Sequence, residues 1–252
     1  MTNKNFNKPI VLSIAGFDPT AGAGFIADIK TIENTGCYAM AVCTANTVQT
    51  DTNFLECHWI EIELMLLQLK TLLESYQIAA VKIGIVKNKH ILKQILQVLK
   101  QYNNKLPIVL DPVLKASSGF DFHGETSIFS EDILTEISVI TPNYEEINSF
   151  ANGKSIAETI TSLQKHTHVL LKGGHHPSKK GTDILFMKDT SVCIFSPSEV
   201  KIYEKHGSGC ILSAAIASYL AQGKTLEEAC ENAKMYIEKT LQSNTTKLAY
   251  HS

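Results

Sequence analysis

The sequence predicts an open, mainly parallel α/β sheet with helices on both faces. Three observations predict it. Short apolar runs, partly β-branched, alternate with amphipathic segments of helical period along the whole chain. The first run, residues 9–16, passes through a glycine-rich loop into a helical pattern, which is how a βαβ unit opens. The residues with useful chemistry, Asp18, Gln49, Asp111, Asn143 and Lys172, follow or end apolar runs. That places them on the edge of the sheet where strands end and ligands bind.

In order, residues 9–16 read as a buried strand, 17–24 as a loop, and Phe25, Ile26, Ile29 and Ile32 mark a helix that stops at Gly36. Residues 38–45 form the second strand, 46–52 a polar loop, and 53–59 a short strand pairing locally. A helix over 62–73 carries Leu66, Leu69, Leu72 and Leu73 on one side. Residues 78–84 are the next strand, and Ile91, Leu92, Ile95, Val98 and Leu99 mark the next helix. Residues 107–111 are a strand ending in an acid, 114–125 an irregular loop, and 128–137 mostly helix. The strand 138–141 is capped by Pro142-Asn143, and helical segments 144–150 and 155–165 follow. Residues 169–172 are a strand before Gly173-Gly174. Segments 184–187 and 192–195 make a hairpin about the polar turn 188–191. Helices 209–221 and 226–241 close the chain. No repeat or linker divides residues 9–252, which read as one domain behind a polar leader, residues 1–8.

Composition excludes several function classes. The chain has 252 residues, 44% of them hydrophobic, and a formal net charge of −2 without a long basic run. Nucleic acid and anionic membranes are therefore not the expected partners, and no apolar run is long enough to span a bilayer. The leader lacks the apolar core of a signal peptide. None of the six cysteines forms a C-x-x-C pair. They read as reduced thiols of a cytoplasmic protein, not as zinc ligands or a redox pair.

The stretch Lys205-His206-Gly207-Ser208-Gly209-Cys210 opens an apolar, small-residue helix. Helix N-termini have free N–H groups and a positive dipole, so this one suits phosphate oxygens. The same field is expected to lower the pKa of Cys210 and let it take a proton from a substrate hydroxyl. The plainer alternative is a glycine-rich cap with a structural cysteine. Asp111 suits a magnesium ion, or caps a turn. Lys172 suits a phosphate, or sits at the surface of a strand end. Glu146 suits a metal–water shell, or with Thr141-Pro142-Asn143 marks only a strand-to-helix junction, Asn143 being a good N-cap. Gln49 offers an amide to a heterocycle edge, or is a solvated loop residue. His175-His176 has no third ligand and reads as loop.

Taken together, Ser13 to Gly24, Ala27 to Thr31, Val48-Gln49, Lys82-Ile83-Gly84, Leu110 to Val113, Thr141-Pro142-Asn143, Leu171 to His175 and His206 to Cys210 carry a resemblance covering roughly residues 9–240. The chain resembles the hydroxymethylpyrimidine/phosphomethylpyrimidine kinases of thiamine biosynthesis, in the ribokinase-like superfamily. The resemblance implies a three-layer ribokinase-like fold and usually a homodimer. It implies ATP-dependent phosphorylation, with magnesium, of 4-amino-5-hydroxymethyl-2-methylpyrimidine and then of its monophosphate. The matching positions imply Gln49, Ala23 and Asp28 at the substrate and Cys210, with Gly207, Ser208 and Gly209, at the chemistry. They imply Lys172, Asn143 and Glu146 at the ATP phosphates and Asp111 at the metal. The chain departs from the common family pattern at Phe17, Ala21, Ile85 and Ser208, and Lys115 is displaced from the usual position of its lysine. Phe17 and Ile85 are expected to shape the substrate pocket. The competing readings are a pyridoxal kinase on the same fold and a non-catalytic protein that binds pyrimidine or ATP.

Overall fold

The computed structural model describes residues 7–114, 130–151, 153–174 and 180–251. Nine strands among these residues form one sheet. They are β1 (Ile10–Phe17), β2 (Tyr38–Gln49), β3 (Phe54–Trp59), β4 (Ile78–Ile83), β5 (Ile108–Leu110), β6 (Val139–Ile140), β7 (His168–Leu171), β8 (Asp183–Phe186) and β9 (Val192–Phe195). Their order is β3-β2-β1-β4-β5-β6-β7-β8-β9. From β2 to β7 every neighbour is parallel. β3, β8 and β9 add antiparallel edges.

Both faces of the sheet are covered, and the strands show it residue by residue. In β5, Ile108 and Leu110 face one core and Val109 the other. In β7, Val169 and Leu171 face the first core and Leu170 the second. Alternate side chains leave a strand on opposite faces, so strands buried on both sides must be apolar throughout. The first core takes Met65, Leu69 and Leu73 from α2 (Ile62–Ser75) and Leu92, Ile95 and Leu99 from α3 (Lys89–Tyr102). It also takes Ile133 and Leu134 from α4 (Glu131–Leu134), Ile147 from α5 (Tyr144–Phe150), and Ile160 and Leu163 from α6 (Ile156–Gln164). The second takes Ala27 and Ile32 from α1 (Gly24–Asn34), Ile211 to Ala217 from α7 (Ser208–Ala221), and Ala229, Ala233 and Ile237 from α8 (Leu226–Leu241). α7 is buried without a break from Ile211 to Ser218. Its small residues let it lie between the sheet and two other helices, close to the strands.

The predicted elements recur, with two corrections. β2 runs on to Gln49 instead of ending at residue 45, because Thr47 and Val48 pair with Cys57 and Glu56 of β3. The long helix expected over 128–137 is the single turn α4 within its described part. The leader up to residue 6, residues 115–125 of the loop expected over 114–125, Lys115 among them, the start of the 128–137 segment and His175-His176 lie outside the described residues.

Candidate active site

A cleft of about 290 Å3 runs along the carboxyl ends of the parallel strands. Phe17 and Asp18 leave β1, Gln49 ends β2, and Gly84 and Ile85 follow β4. Asp111 follows β5, Asn143 and Glu146 lie where β6 meets α5, and Lys172 follows β7. Gly207, Ser208, Gly209 and Cys210 close it with the start of α7, opposite Ala23 and Gly24 at the start of α1. Every predicted site residue except Asp28 lines this one cleft.

Asp28 is the correction. It is fully buried beneath the cleft, where Ser13 Oγ donates to it at 2.5 Å and Lys82 Nζ grips both its oxygens at 3.0 and 2.9 Å. Burial raises its pKa against the pull of Lys82. Burial would lower that of Lys82, but Asp28, Cys210 and Asp111 raise it. The bidentate contact is an ion pair, and Asp28 touches the cleft through Lys82, which does line it.

Gly207 sits at φ 73°, in the left-handed region that costs a side-chain-bearing residue energy. A Cβ there would lie 2.1 Å from the carbonyl oxygen of Gly22. Glycine therefore lets the entry of α7 touch the loop before α1. That contact is fastened by Asp18, whose carboxylate accepts from His206 Nε2 at 2.8 Å and from the N–H groups of Thr20 and Ala23 at 2.8 Å. Burial pushes Asp18 up, yet the hydrogen bonds from His206 and Thr20 hold it below the ordinary carboxylate range. Cys210 faces the N–H of Gly24 and the Lys82 ammonium, but its thiol is not activated at rest. Burial pushes it up to about 11, Lys82 opposes this, and Asp111 and Asp28 push it further up. The expected lowering by the helix field is thus overturned by desolvation.

On the other wall, Lys172 Nζ donates to Asp111 Oδ1 at 2.7 Å and lies 3.8 Å from Glu146. Thr141 and Ser213 hydroxyls also donate to Asp111, each at 3.2 Å. Burial opposes ionisation of Asp111, but Lys172 and Lys82 hold it below its ordinary range. Glu146 closes a capping box with Asn143, and burial, aided by Asp111, pushes it up to about 7 against Lys172. Gln49 Nε2 donates to Thr47 Oγ1 at 2.8 Å, so its amide is oriented from within its own strand.

Sequence reasoning missed Lys82, Asp183 and Lys234. Asp183 accepts from the N–H of Gly173 at 2.7 Å and pairs with Lys234 at 3.1 Å, at the end of the cleft walled by Pro197, Ile202, Ile237 and Leu241. A charged residue inside an apolar strand, such as Lys82 between Val81 and Ile83, was the available signal.

The phosphomethylpyrimidine kinase family model matches residues 18–252. A hydroxymethylpyrimidine/phosphomethylpyrimidine kinase of Aquifex aeolicus is 34% identical over 93% of this chain and 95% of its own length. A thiamine biosynthesis bifunctional protein of Geobacter sulfurreducens is 32% identical over 92% of this chain, which spans 49% of it. Among solved structures, phosphomethylpyrimidine kinase of Clostridium difficile superposes with a TM-score of 0.76 at 31% identity, over 92% of this chain and 99% of that one. Pyridoxal kinase of Staphylococcus aureus in complex with ADP superposes with a TM-score of 0.84 at 25% identity, over 98% and 94%.

Proposed function

This chain belongs to the phosphomethylpyrimidine kinase family, and from that premise we propose that its cleft moves the terminal phosphoryl group of ATP onto the hydroxymethyl group of 4-amino-5-hydroxymethyl-2-methylpyrimidine, and then onto the resulting monophosphate, in thiamine biosynthesis. The observation that carries the reading is the meeting of two helix N-termini, at Gly24 and Ser208, with Asp111 and Lys172 in one cleft. Phosphoryl transfer needs positioning and neutralisation of charge more than covalent help, and these groups supply both. Gln49 and Ala23, with Phe17 and Ile85 as apolar walls, take the heterocycle. Lys172 and Asn143 face the ATP phosphates, and the N–H groups from Gly207 to Gly209 receive the charge in flight. Cys210 stands beside them as the residue that accepts the hydroxyl proton.

Magnesium fits this donor set. Among the described residues no cluster of three His, Cys, Asp or Glu could cage a metal. Asp111 nevertheless presents an Oδ2 that accepts from Ser213 alone, whereas Oδ1 takes both Lys172 and Thr141, and Mg2+ ordinarily keeps water and phosphate ligands beside one or two carboxylates. Asp111 would hold the ion, with Glu146 acting through its water shell. When bound it screens the charge of the phosphates. All six cysteines are free thiols, which suits a cytoplasmic protein. A homodimer has a candidate face where Leu55, Leu64 and Leu67 are exposed on β3 and α2. Residues 9–252 serve as one kinase domain.

A second reading, pyridoxal kinase, is favoured by the TM-score of 0.84 to the pyridoxal kinase structure. Pyridoxal too presents a hydroxymethyl group on a heteroaromatic ring. Turnover with ATP and magnesium of the pyrimidine, its monophosphate and pyridoxal, side by side, tests both readings. The pyrimidine should have the highest kcat/KM. A higher value for pyridoxal would exchange the two readings.

A further inference from the structure

After α8 the chain turns back towards the stretch that leads into α7. The N–H of Thr246 donates to Asn244 Oδ1 at 2.8 Å, Asn244 Nδ2 to the carbonyl of Leu248 at 2.9 Å, and the N–H of Tyr250 to Ser243 Oγ at 3.0 Å. These bonds wind residues 243–250 into a compact loop without helix or strand. Its outward carbonyls meet the stretch that leads into α7. Lys205 Nζ donates to the carbonyls of Asn244 and Thr246, each at 2.5 Å, and to Asn244 Oδ1 at 2.9 Å. The N–H of His206 donates to the carbonyl of Lys247 at 2.9 Å. Leu248 reaches the loop before α1, since a Cβ on Gly22 would lie 2.8 Å from its side chain and 2.8 Å from His206.

Lys205 is only 4% exposed, and among the described residues no carboxylate pairs with its ammonium. A lysine is rarely buried unless paired, and desolvating an ammonium is costly. Here three oxygens meet its three N–H groups, and all three come from residues 244 and 246. An apolar side chain would fill the same space more cheaply, so packing does not explain the charge. What the ammonium does that an alkyl group cannot is tie two segments, about forty residues apart in sequence, at a fixed distance. The tied residue is two before Gly207 and one before His206, which in turn holds Asp18 and through it the N–H groups of Thr20 and Ala23.

We propose that Lys205 is a positioning residue of the kinase site, its ammonium clamped by two main-chain carbonyls and one side-chain oxygen of residues 244 and 246 so that the entry to α7 keeps Gly207–Gly209 and Cys210 turned to the cleft. The kinetic part of this proposal rests on the kinase reading above; the structural part does not. Lys205→Ala removes the ammonium and leaves room for ethylammonium to enter the same three oxygens. Amide exchange of residues 206–210 should rise in this variant while α3 stays protected, and kcat should fall about 10- to 100-fold, as for small misplacements of reacting groups, with both KM values near wild type. Ethylammonium chloride should recover part of the protection and of kcat; sodium chloride at equal ionic strength should recover neither. Should Lys205→Ala not fold, Asn244→Ala, which removes one of the three oxygens, should show the same local loss to a smaller degree. Wild-type exchange and kcat in the folded variants would overturn the proposal. So would losses that track global melting and ignore ethylammonium. A protein that phosphorylates none of the three substrates would sink the kinase reading, and the exchange experiment would still decide the clamp.

Discussion

In the proposed reaction Cys210 accepts a proton, yet its thiol is pushed up to about 11. Only the thiolate can act as a base, so the rate should carry the mark of a scarce form. We expect kcat to climb about tenfold per pH unit through the neutral and mildly alkaline range. Cys210→Asp should flatten that limb, because its carboxylate is ionised throughout. Cys210→Ser should lower kcat about 10²- to 10⁴-fold, the usual worth of a general base, with little change in ATP binding. A pH–rate profile that is flat in the wild type would remove the cysteine from the proton path. Glu146 gives a second pH signature, in stability. Its folded pKa of about 7 lies above its ordinary value of 4.5, so the folded state holds the proton more tightly than the unfolded one. The stabilisation is complete below about pH 4.5 and is lost as pH rises through about 7. Glu146→Gln should therefore keep its capping contact and abolish the fall in Tm between pH 5 and pH 8.

At the scale of elements, α7 depends on the close approach at its first turn. Gly207→Ala would put a methyl group 2.1 Å from the Gly22 carbonyl and hold alanine at φ 73°. The strain, about 1–3 kcal/mol, would be relieved by moving α7 away from α1. We expect a lower Tm and a collapse of kcat, while Gly223→Ala, also left-handed at φ 81° but with nothing within 4 Å, should cost stability alone and leave kcat unchanged. Elements of this kind were the most legible part of the sequence. Strands buried on both faces announce themselves as unbroken apolar runs, and α3, capped by Asn88, shows its apolar stripe plainly. The sequence pattern ends β2 too early because Asn46, Thr47 and Gln49 look like loop. What extends the strand is its antiparallel partner β3, a tertiary pairing that local pattern does not contain. The helix field at Cys210 was legible too, but its outcome was not. Whether a dipole or burial wins depends on the walls around the sulfur, which come from β4, α1 and the end of β5.

For the whole molecule, the edge of the sheet that gathers the site followed from the alternation of elements, and with it the position of Asp111, Asn143 and Lys172. The long-range pairings in and beneath the cleft did not. Asp18 meets His206 across 188 positions of sequence, and Lys82 meets Asp28 across 54. Nothing local marks one charged residue as the partner of another so far away. That long span also sets an order in time. The strands can pair and the first core can form before α7 and α8 are in place, but the cleft lacks one wall until residues 205–210 dock against the loop of residue 18. Contacts that close long loops are slow to form, and large domains often pass through partly built states. Refolding from urea should thus return helical circular dichroism first and kinase turnover last, with ATP accelerating nothing until the final phase. If turnover returned together with the earliest signal, the site would have to assemble without its latest-made wall.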